Sequence, residues 1–257
     1  MSSSASTLLL TSCIHVSAPI VELSDPTSRV ELTLSSIQQW LKIAGDLNIV
    51  ICDGSGYDFT KDVAEWFPQV KIECISFKND VDAVKEFGKG YGEGEIIKYA
   101  LEHSEYLKHS DYFVKCTSKL WVKNFPEILK RWNNLFQCQF ALEKPKTIRN
   151  AKPSSVDTRF YIINKSYYID YFINAYKNVR DQDGYHLEYC FRDVILDNRL
   201  RASSILFPIP PLIEGVSGTT GKTFESVNLL KKLNKYHKNL KSYLKLRLNE
   251  QLYKPPL

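Results

Sequence analysis

A short cluster of polar residues follows an apolar segment near the middle of the chain. Residues 112–116 have the composition of a buried strand. A polar cluster stands at its end: Lys115, Thr117, Ser118 and Lys119. In an open α/β sheet, ligands bind in the crevice beyond the carboxyl ends of the strands. Ammonium and hydroxyl groups placed there can bind and neutralise a diphosphate. The cluster therefore predicts an anion-binding site.

A glycine-rich segment, 88–94, precedes this cluster. Glycines stand at 88, 90, 92 and 94, and apolar residues at helical spacing follow, among them Ile96, Ile97 and Ala100. We expect a loop over the glycines and then an amphipathic helix, with Glu93 on its solvent side. A glycine loop before a helix can bring backbone N–H groups to a ligand, but the spacing is not that of a dinucleotide-binding motif. An ordinary strand–helix connection explains the segment equally well.

Asp53 closes a second predicted strand, 48–52, and stands next to Gly54. A carboxylate at this position commonly binds a ribose hydroxyl or a base in nucleotide-binding sheets. An aspartate in a turn can instead accept hydrogen bonds from its own backbone. Both interpretations stay open at this point.

Two Asp-x-Asp triplets occur, at residues 80–82 and 181–183. Paired carboxylates can hold Mg²⁺ or Mn²⁺ against a diphosphate. Neither triplet ends the predicted strand 112–116, where Lys115 and Lys119 stand instead. We therefore favour a site without a metal or other cofactor over one with Mg²⁺ or Mn²⁺.

A second glycine-rich segment, 215–222, reads GVSGTTGK. A P-loop requires a glycine at position 216, where the chain has Val216. Backbone amides, Ser217 and Lys222 can still surround a phosphate. A flexible solvent loop would have the same composition.

Glu188 stands beside His186 in a predicted helix, 185–196. A carboxylate near a crevice can deprotonate an acceptor hydroxyl, although helix surfaces are also rich in glutamate. Asp157 and Arg159 stand at the start of a further predicted strand, where they can bind sugar hydroxyls or form a surface ion pair. Glu188 is thus a candidate base, and Asp157, Arg159 and His186 are candidate acceptor- or sugar-binding residues.

The elements that must position these residues alternate between strand and helix. Strands are predicted over 7–16, 48–52, 71–77 and 112–116, with helices over 29–44 and 61–67 and after the glycine segment. This alternation predicts a parallel sheet with right-handed crossovers. Later elements are helices over 125–135, 167–179 and 185–196 and strands over 137–142, 158–164 and 205–209. The predicted fold class is α/β, with a Rossmann-type mixed, mainly parallel sheet flanked by helices.

Composition narrows the class of protein. The 257 residues are 44% hydrophobic and 25% charged, which suits one large domain or one domain with an appendage. The net charge of +5 is too small to indicate a nucleic-acid-binding protein, and no recognition motif accompanies it. Six scattered cysteines without a C-x-x-C pair fit free thiols in a reducing cytoplasm. The start, MSSSASTLLL, lacks the basic region of a signal peptide, so we expect a cytoplasmic protein.

The last segment, 227–257, differs from the rest in its charge. Eight lysines and arginines from Asn228 onward are interleaved with leucines such as Leu233, Leu240 and Leu244. A basic amphipathic helix can lie on an anionic membrane leaflet. It can equally pack on its own domain or on a second subunit. We expect a main domain, 1–226, followed by this helical tail.

As an ordered series, the segments resemble bacterial glycosyltransferases of the GT-A type that build surface polysaccharides such as lipopolysaccharide O-antigen or capsule. The matching segments cover about residues 7 to 226: LLLTSC, SRVELTLSSIQQWL, NIVICDGSGYD, GKGYGEGEIIKYAL, YFVKCTSKLWVKNF, DTRFYIINKSYY, HLEYCF and GVSGTTGKTFE. The resemblance lies in their arrangement rather than in any single motif.

The resemblance implies that a nucleotide-sugar donor, with a UDP-sugar favoured, binds at the carboxyl ends of the first four strands. Thr11, Ser12 and Asp53 would hold the nucleoside, and Gly90 and Glu95 would lie near it. The acceptor would be a hydroxyl of a glycan or lipid-linked molecule, reached at the inner face of the plasma membrane.

The resemblance also implies roles for the later residues. The segment from Lys115 to Lys119 occupies the position of the family's metal motif, but it lacks the aspartate pair. Glu188 falls where inverting enzymes of this fold keep their base. Ser217 and Lys222 would close over the diphosphate.

Two other functions compete with sugar transfer. One is a non-catalytic module that binds a nucleotide or a sugar. The other is a nucleotidyltransferase, which needs a metal-binding carboxylate pair near the first loop, and the sequence has no such pair there.

Overall fold

A six-stranded mixed sheet organises the chain. The computed structural model describes residues 6–18, 21–132, 136–143, 151–225 and 228–252. The strands of the sheet are β1 (Thr7–Ser12), β2 (Asn48–Asp53), β3 (Ile72–Ser76), β4 (Tyr112–Thr117), β6 (Cys138–Leu142) and β7 (Val156–Asn164). They lie in the order β3-β2-β1-β4-β7-β6, in which the first four are parallel and β7 and β6 are antiparallel to their neighbours. A smaller antiparallel sheet joins β5 (Leu120–Val122), β8 (Ile213–Val216) and β9 (Thr223–Phe224).

Helices cover both faces of the large sheet. Apolar runs such as Leu8–Leu10 and Ile49–Ile51 are fully buried, as expected for parallel strands covered on both sides. In chain order the helices are α1 (Pro26–Ile43), α2 (Thr60–Trp66), α3 (Val81–Phe87), α4 (Lys89–His103), α5 (Glu105–Lys108), α6 (Phe125–Leu129), α7 (Lys165–Tyr167), α8 (Leu187–Asp197), α9 (Ala202–Ile205) and α10 (Leu229–Leu252). One large buried cluster lies beneath α4 and α8, a second lies beneath α1, and a smaller third joins Leu206 to Leu246 of α10. The α/β class with a mixed, mainly parallel sheet is confirmed.

The glycine segment is helical, so the predicted glycine loop is wrong. Helix α4 begins at Lys89, directly after Gly88, and it includes Gly90, Gly92 and Gly94. These glycines allow a close approach rather than a loop, because a Cβ at Gly94 would lie 2.1 Å from the Cβ of Tyr176. The helix can therefore pack tightly on the 3-10 turn Ala175–Asn178.

The predicted edge strand over 205–209 is also wrong. Helix α9 ends at Ile205, and Leu206 forms only an isolated bridge with Phe140. The prolines that follow at 208, 210 and 211 lack the N–H donor that a paired strand requires. Ile205, Leu206 and Phe207 of this segment are nevertheless buried, which explains its strand-like composition.

Several predicted boundaries shift for local reasons. Strand β1 ends at Ser12 rather than at residue 16, and the predicted helix 167–179 is divided into α7, a π-helical turn (Tyr168–Phe172) and a 3-10 turn (Ala175–Asn178). Helix α6 ends at Leu129, while residues 133–135 of the longer predicted helix lie outside the described part. The segment after Gly215 is not a flexible loop throughout, because β8 and β9 pair across it.

Helix α10 packs one face on the rest of the chain. Leu246 and Ser242 are buried, and the Asn239 side chain donates to the carbonyl of Phe207 at 2.8 Å. The opposite face exposes five leucines, with 41% to 76% of each residue accessible: Leu230, Leu233, Leu240, Leu244 and Leu248. No helix in the described part of the chain has the length and apolar character needed to cross a membrane.

The contact between α4 and the 175–178 turn can be tested by Gly94→Ala. An alanine in place of a helical glycine normally stabilises a helix by about 1 kcal/mol. Here the added methyl would collide with Tyr176, and we expect a net loss of about 1–3 kcal/mol from overpacking. Urea denaturation would measure the change, with Lys98→Ala on the exposed side of the same helix as control. An unchanged or increased stability of Gly94→Ala would contradict the close packing.

Candidate functional site

A cavity of about 610 Å³ lies at the carboxyl ends of the parallel strands. Residues at or just after the ends of β1, β2, β3 and β4 line it, together with the start of β7, the first turn of α8 and residues 217–220. Because β7 is antiparallel to β4, its first residues lie at the same edge of the sheet. Of the predicted site residues, the cavity lining includes Thr11, Ser12, Thr117, Lys119, Arg159, Glu188 and Ser217.

Arg29 is a buried cation in the wall of this cavity, and the sequence reasoning missed it. Only 6% of the residue is exposed. Its guanidinium donates to three backbone carbonyls, those of Cys13 at 2.8 Å, Leu23 at 2.6 Å and Gly218 at 3.2 Å. These contacts join helix α1 to the loop after β1 and to the segment 217–221, which cover the cavity. A lone arginine in the first turn of an amphipathic helix gave no signal of this role.

Lys119 is the second cation of the wall, and only 2% of it is exposed. Its ammonium lies 3.4 Å from the hydroxyl of Ser118. Burial, and after it the nearby charge of Arg29, lower the pKa of Lys119 to about 7, against the opposite influence of Cys13, Asp53 and Glu93. Two cations lie close together here, and among the described residues neither is bonded to a carboxylate, an arrangement that favours an anionic ligand.

Lys115 has a different environment, although it belongs to the same predicted cluster. It is fully buried inside β4 and does not line the cavity. Its ammonium donates to the carboxylate of Glu93, to the carbonyl of Thr158 at 2.7 Å and to the hydroxyl of Thr117 at 3.3 Å. All three N–H groups are therefore used within the protein.

Glu93 lines the cavity, which corrects the expectation that it faces solvent. It belongs to the first turns of α4, and Thr11 donates to the same carboxylate oxygen as Lys115, at 3.1 Å. A signal for this residue existed in the sequence. A lysine inside the apolar strand 112–116 requires a buried counter-charge from a neighbouring element.

Glu188 stands at the far end of the cavity, in the first turn of α8. The hydroxyl of Thr158 donates to its carboxylate at 3.3 Å. Burial raises the pKa of Glu188, and the negative charge of Glu93 adds to the increase. A carboxylate with a raised pKa beside an accessible cavity is suited to accept a proton from a hydroxyl group.

Asp157 and Arg159 form an ion pair beside Glu188, with distances of 2.9 Å and 2.6 Å from the guanidinium to the carboxylate. The guanidinium also lies 4.9 Å from the ring centre of Phe224. Arg159 lines the cavity, whereas Asp157 supports it from behind. His186 is turned to Asp181, with 2.7 Å between its Nδ1 and the carboxylate, and does not line the cavity.

Asp53 is bound within the protein. Its carboxylate accepts from the backbone N–H of Ile14 at 3.0 Å, of Ser55 at 2.8 Å and of Tyr57 at 3.2 Å, and from the Ser55 hydroxyl at 2.6 Å. The residue is fully buried and does not line the cavity. These contacts hold the turns after β1 and β2 together. They thereby fix the positions of Gly54 and Ser55, which line the cavity.

Four other predicted residues also lie outside the lining. Gly90 packs on α8, and Glu95 accepts from the backbone of Asp80 at 3.2 Å. Ser118 is buried, with its hydroxyl 3.3 Å from that of Thr33. Lys222 has an exposed side chain, and its carbonyl accepts from the N–H of Ser217 at 2.9 Å.

The segment 217–221 covers the cavity through Thr219. Lys89 donates to the Thr219 hydroxyl at 2.9 Å, and the N–H of Glu22 donates to the Thr219 carbonyl at 2.9 Å. The covering segment is thereby connected to helix α4 and to the loop after β1. This connection encloses the space in front of Arg29 and Lys119.

No aspartate of either Asp-x-Asp triplet lines the cavity, although Val81, between Asp80 and Asp82, does. Asp80 caps helix α3, where it accepts from the backbone of Asp82 and Ala83, and Asp181 accepts from Gly90 and His186. Within the described ranges, no cluster of three or more His, Cys, Asp or Glu side chains is arranged to hold a metal ion.

Comparison with protein-family models and with curated proteins found no match for this chain. Solved structures similar to it include a protein described as a nucleotide-diphospho-sugar transferase from Desulfovibrio desulfuricans (14% identity, 77% of this chain and 78% of that chain, TM-score 0.47). Mouse xyloside xylosyltransferase 1 is another (12% identity, 79% and 84%, TM-score 0.41), as is the inositol-1-phosphate CTP transferase of T. maritima (13% identity, 98% and 98%, TM-score 0.44). Likeness at this level assigns no reaction to the chain.

The two cations generate a pH-dependent prediction for anion binding. Lys119 is charged below about pH 7 and loses its proton as the pH rises through that value, so pyrophosphate should bind more weakly above pH 7 than below it. Lys119→Met should weaken binding at pH 6 by about tenfold or more, since a charge-assisted hydrogen bond contributes about 1.5–3 kcal/mol.

Calorimetry at pH 8 in two buffers of different ionisation enthalpy would detect the proton that Lys119 takes up when the anion binds. The ionisation of pyrophosphate is common to both proteins, so the difference between wild type and Lys119→Met reports the lysine. The exposed Lys108→Met is the control. Equal affinity and equal proton uptake in wild type and Lys119→Met would refute the anion site.

Proposed function

We propose that the protein is a GT-A-like glycosyltransferase that moves a sugar from a nucleotide-diphosphate sugar to a hydroxyl group. A UDP-sugar is the favoured donor, and a glycan or lipid-linked molecule of bacterial surface polysaccharide synthesis is the acceptor. One observation supports this most directly: a single cavity connects the buried cations Arg29 and Lys119 to the half-buried carboxylate of Glu188. Its volume of about 610 Å³ suits a ligand larger than a phosphate.

The order of the strands suggests how the donor lies. Residues after β2 and β3, among them Val81, line the end of the cavity that these strands form and suit a planar base, and Val16 and Val21 from the loop after β1 add apolar surface to the lining. The cations lie beyond the ends of β1 and β4, in the middle of the crevice, and suit the diphosphate. Glu188 and Arg159 lie at the β7 end, which leaves that end for the transferred sugar and the acceptor hydroxyl.

The proposed chemistry needs a base and a stabilised leaving group. The acceptor oxygen forms the new bond to the anomeric carbon, Glu188 takes the proton of that hydroxyl, and the nucleoside diphosphate leaves with the electrons of the broken bond. Lys119 and Arg29 would neutralise the charge that develops on the diphosphate, which is the contribution a divalent metal makes in related chemistry. We therefore propose a metal-independent reaction.

The division of the chain belongs to the same proposal. Residues 1–226 would bind the donor and carry out the transfer, while the tail, 227–257, would contact the inner face of the plasma membrane. The described part of the tail carries seven lysines and arginines and one glutamate between residues 229 and 252. Its five exposed leucines recur on one helical face, opposite the buried Leu246. This pattern suits an anionic leaflet better than a second copy of the same positive helix.

Glu188→Gln tests the reaction. The amide cannot accept the proton, so turnover should fall by about a hundredfold or more while UDP still binds. Because burial raises the pKa of Glu188, the acidic limb of the wild-type pH profile should lie above the ordinary range of a glutamate and should vanish with the variant. The assay would measure nucleotide released from UDP-, GDP-, CDP- and dTDP-sugars with glycan acceptors in the presence of EDTA.

The exposed Glu102→Gln provides the control for this assay. Release of pyrophosphate from a nucleoside triphosphate and a sugar phosphate would instead identify a nucleotidyltransferase. Donor binding without any transfer would identify a non-catalytic module. Activity lost in EDTA and restored by Mn²⁺ would overturn the metal-independent mechanism, and unchanged turnover of Glu188→Gln would remove this residue from the role of base.

The tail generates a separate prediction. Wild-type protein should float with vesicles that contain phosphatidylglycerol and should remain behind with pure phosphatidylcholine vesicles, since both charge and apolar area contribute. The double variant Leu240→Ser/Leu244→Ser should lose most of the bound fraction, because these leucines are exposed and would supply apolar area to the bilayer. Ile169→Ser, which changes an exposed apolar residue elsewhere, is the matched control. Equal flotation of the double variant would contradict membrane contact through this face.

A further inference from the structure

The ion pair of Lys115 and Glu93 lies between the two halves of the proposed site. Glu93 lines the cavity from helix α4, and its charge acts on Lys119 at the proposed diphosphate position and on Glu188 at the proposed base. The carboxylate thus stands where the transferred sugar would lie between the diphosphate and the acceptor.

Lys115 cannot contact a ligand itself. It is fully buried, and its three N–H groups are donated to Glu93, Thr117 and the carbonyl of Thr158. These partners belong to α4, to β4 itself and to β7, so the ammonium holds a fixed position among three elements. Its role is to orient Glu93.

The two oxygens of Glu93 differ in their surroundings. Oε1 accepts from both Lys115 and Thr11. Oε2 takes no hydrogen bond from the described residues, and 24% of the side chain is exposed at the cavity. One oxygen is therefore fixed by the protein, and the other is presented to a ligand.

Stability alone does not explain this arrangement. Replacement of a buried ion pair by apolar side chains of similar size is often neutral or stabilising, because burying both charges is costly. A carboxylate held by a buried lysine is, however, a strong and oriented acceptor for a hydroxyl group. An ionised carboxylate accepts hydrogen bonds and donates none, so it suits the O–H groups of a sugar and repels a phosphate.

We propose that Glu93 binds a hydroxyl group of the donor's sugar and that Lys115 is a positioning residue that holds the carboxylate in place. This inference rests on the proposed function, since it assigns a further residue to the same site. It makes the sugar, rather than the nucleotide, the part of the donor that Glu93 recognises.

Calorimetric titration with two probes separates these contributions. UDP reports the nucleotide and diphosphate subsites, and a panel of UDP-glucose, UDP-galactose and UDP-N-acetylglucosamine adds the sugar. For a UDP-sugar that wild type binds more tightly than UDP, Glu93→Ala should weaken binding by about tenfold, the amount expected for one charge-assisted hydrogen bond. Affinity for UDP should change by less than about twofold, since Glu93 does not contact the nucleotide in this arrangement.

A second variant guards against misfolding, because Glu93→Ala leaves the Lys115 charge buried without its partner. The double variant Glu93→Ala/Lys115→Met removes both charges and should show the same selective loss. Lys115→Met alone should also weaken the UDP-sugar and spare UDP, which a purely structural role would not produce. Glu102→Gln, on the exposed side of the same helix, is the matched control.

The outcomes distinguish the two proposals. If wild type binds neither UDP nor any UDP-sugar of the panel, both the proposed donor and the role of Glu93 are overturned. If wild type gains affinity from the sugar and the double variant keeps that gain, the role of Glu93 is overturned while the glycosyltransferase proposal stands. Equal weakening of UDP and UDP-sugar in the double variant would likewise show that Glu93 does not recognise the sugar.

Discussion

A buried ammonium group in the central strand constrains the structure around it. Lys115 interrupts an otherwise apolar strand, and burying a charge without partners would cost several kcal/mol. Three acceptors of its hydrogen bonds offset this cost: Glu93 from α4, Thr117 from β4 and the Thr158 carbonyl from β7. These contacts bring a helix and two strands to one place at the edge of the sheet. The cavity forms where they meet.

Lys119 shows how differently a second lysine, four residues later, can be used. Its ammonium bonds only to a neighbouring hydroxyl among the described residues, and Arg29 stands close enough to lower its pKa. Arg29 is itself held by carbonyls from both covering loops. The protein therefore holds two cations together at the cavity, an arrangement that an anionic ligand would stabilise. Lys115 holds the elements around the cavity together, whereas Lys119 is available to bind a ligand.

The local sequence predicted the structure correctly where composition alone was sufficient. The four apolar runs predicted the parallel strands, because a strand covered on both faces must be apolar throughout. The prediction failed where contacts between distant segments decide the local secondary structure. Alternate glycines in 88–94 resemble a loop, yet they form a helix that packs on Tyr176. Apolar residues at 205–209 resemble a strand, yet the adjoining prolines prevent a ladder and helix α10 covers the segment.

By itself the sequence determined the fold class, the position of the crevice and part of its lining, including Thr11, Lys119 and Glu188. Thr11 and Lys119 follow from chain order, because residues after parallel strands must meet at one edge of the sheet, whereas the family resemblance implied the place of Glu188. Only the tertiary structure decided three further points. All N–H groups of Lys115 have partners within the protein, the Asp53 carboxylate accepts hydrogen bonds from backbone N–H groups, and Arg29 and Glu93 line the cavity. A side chain's partners lie on other elements of the chain, so their distances and burial depend on packing that local sequence does not encode.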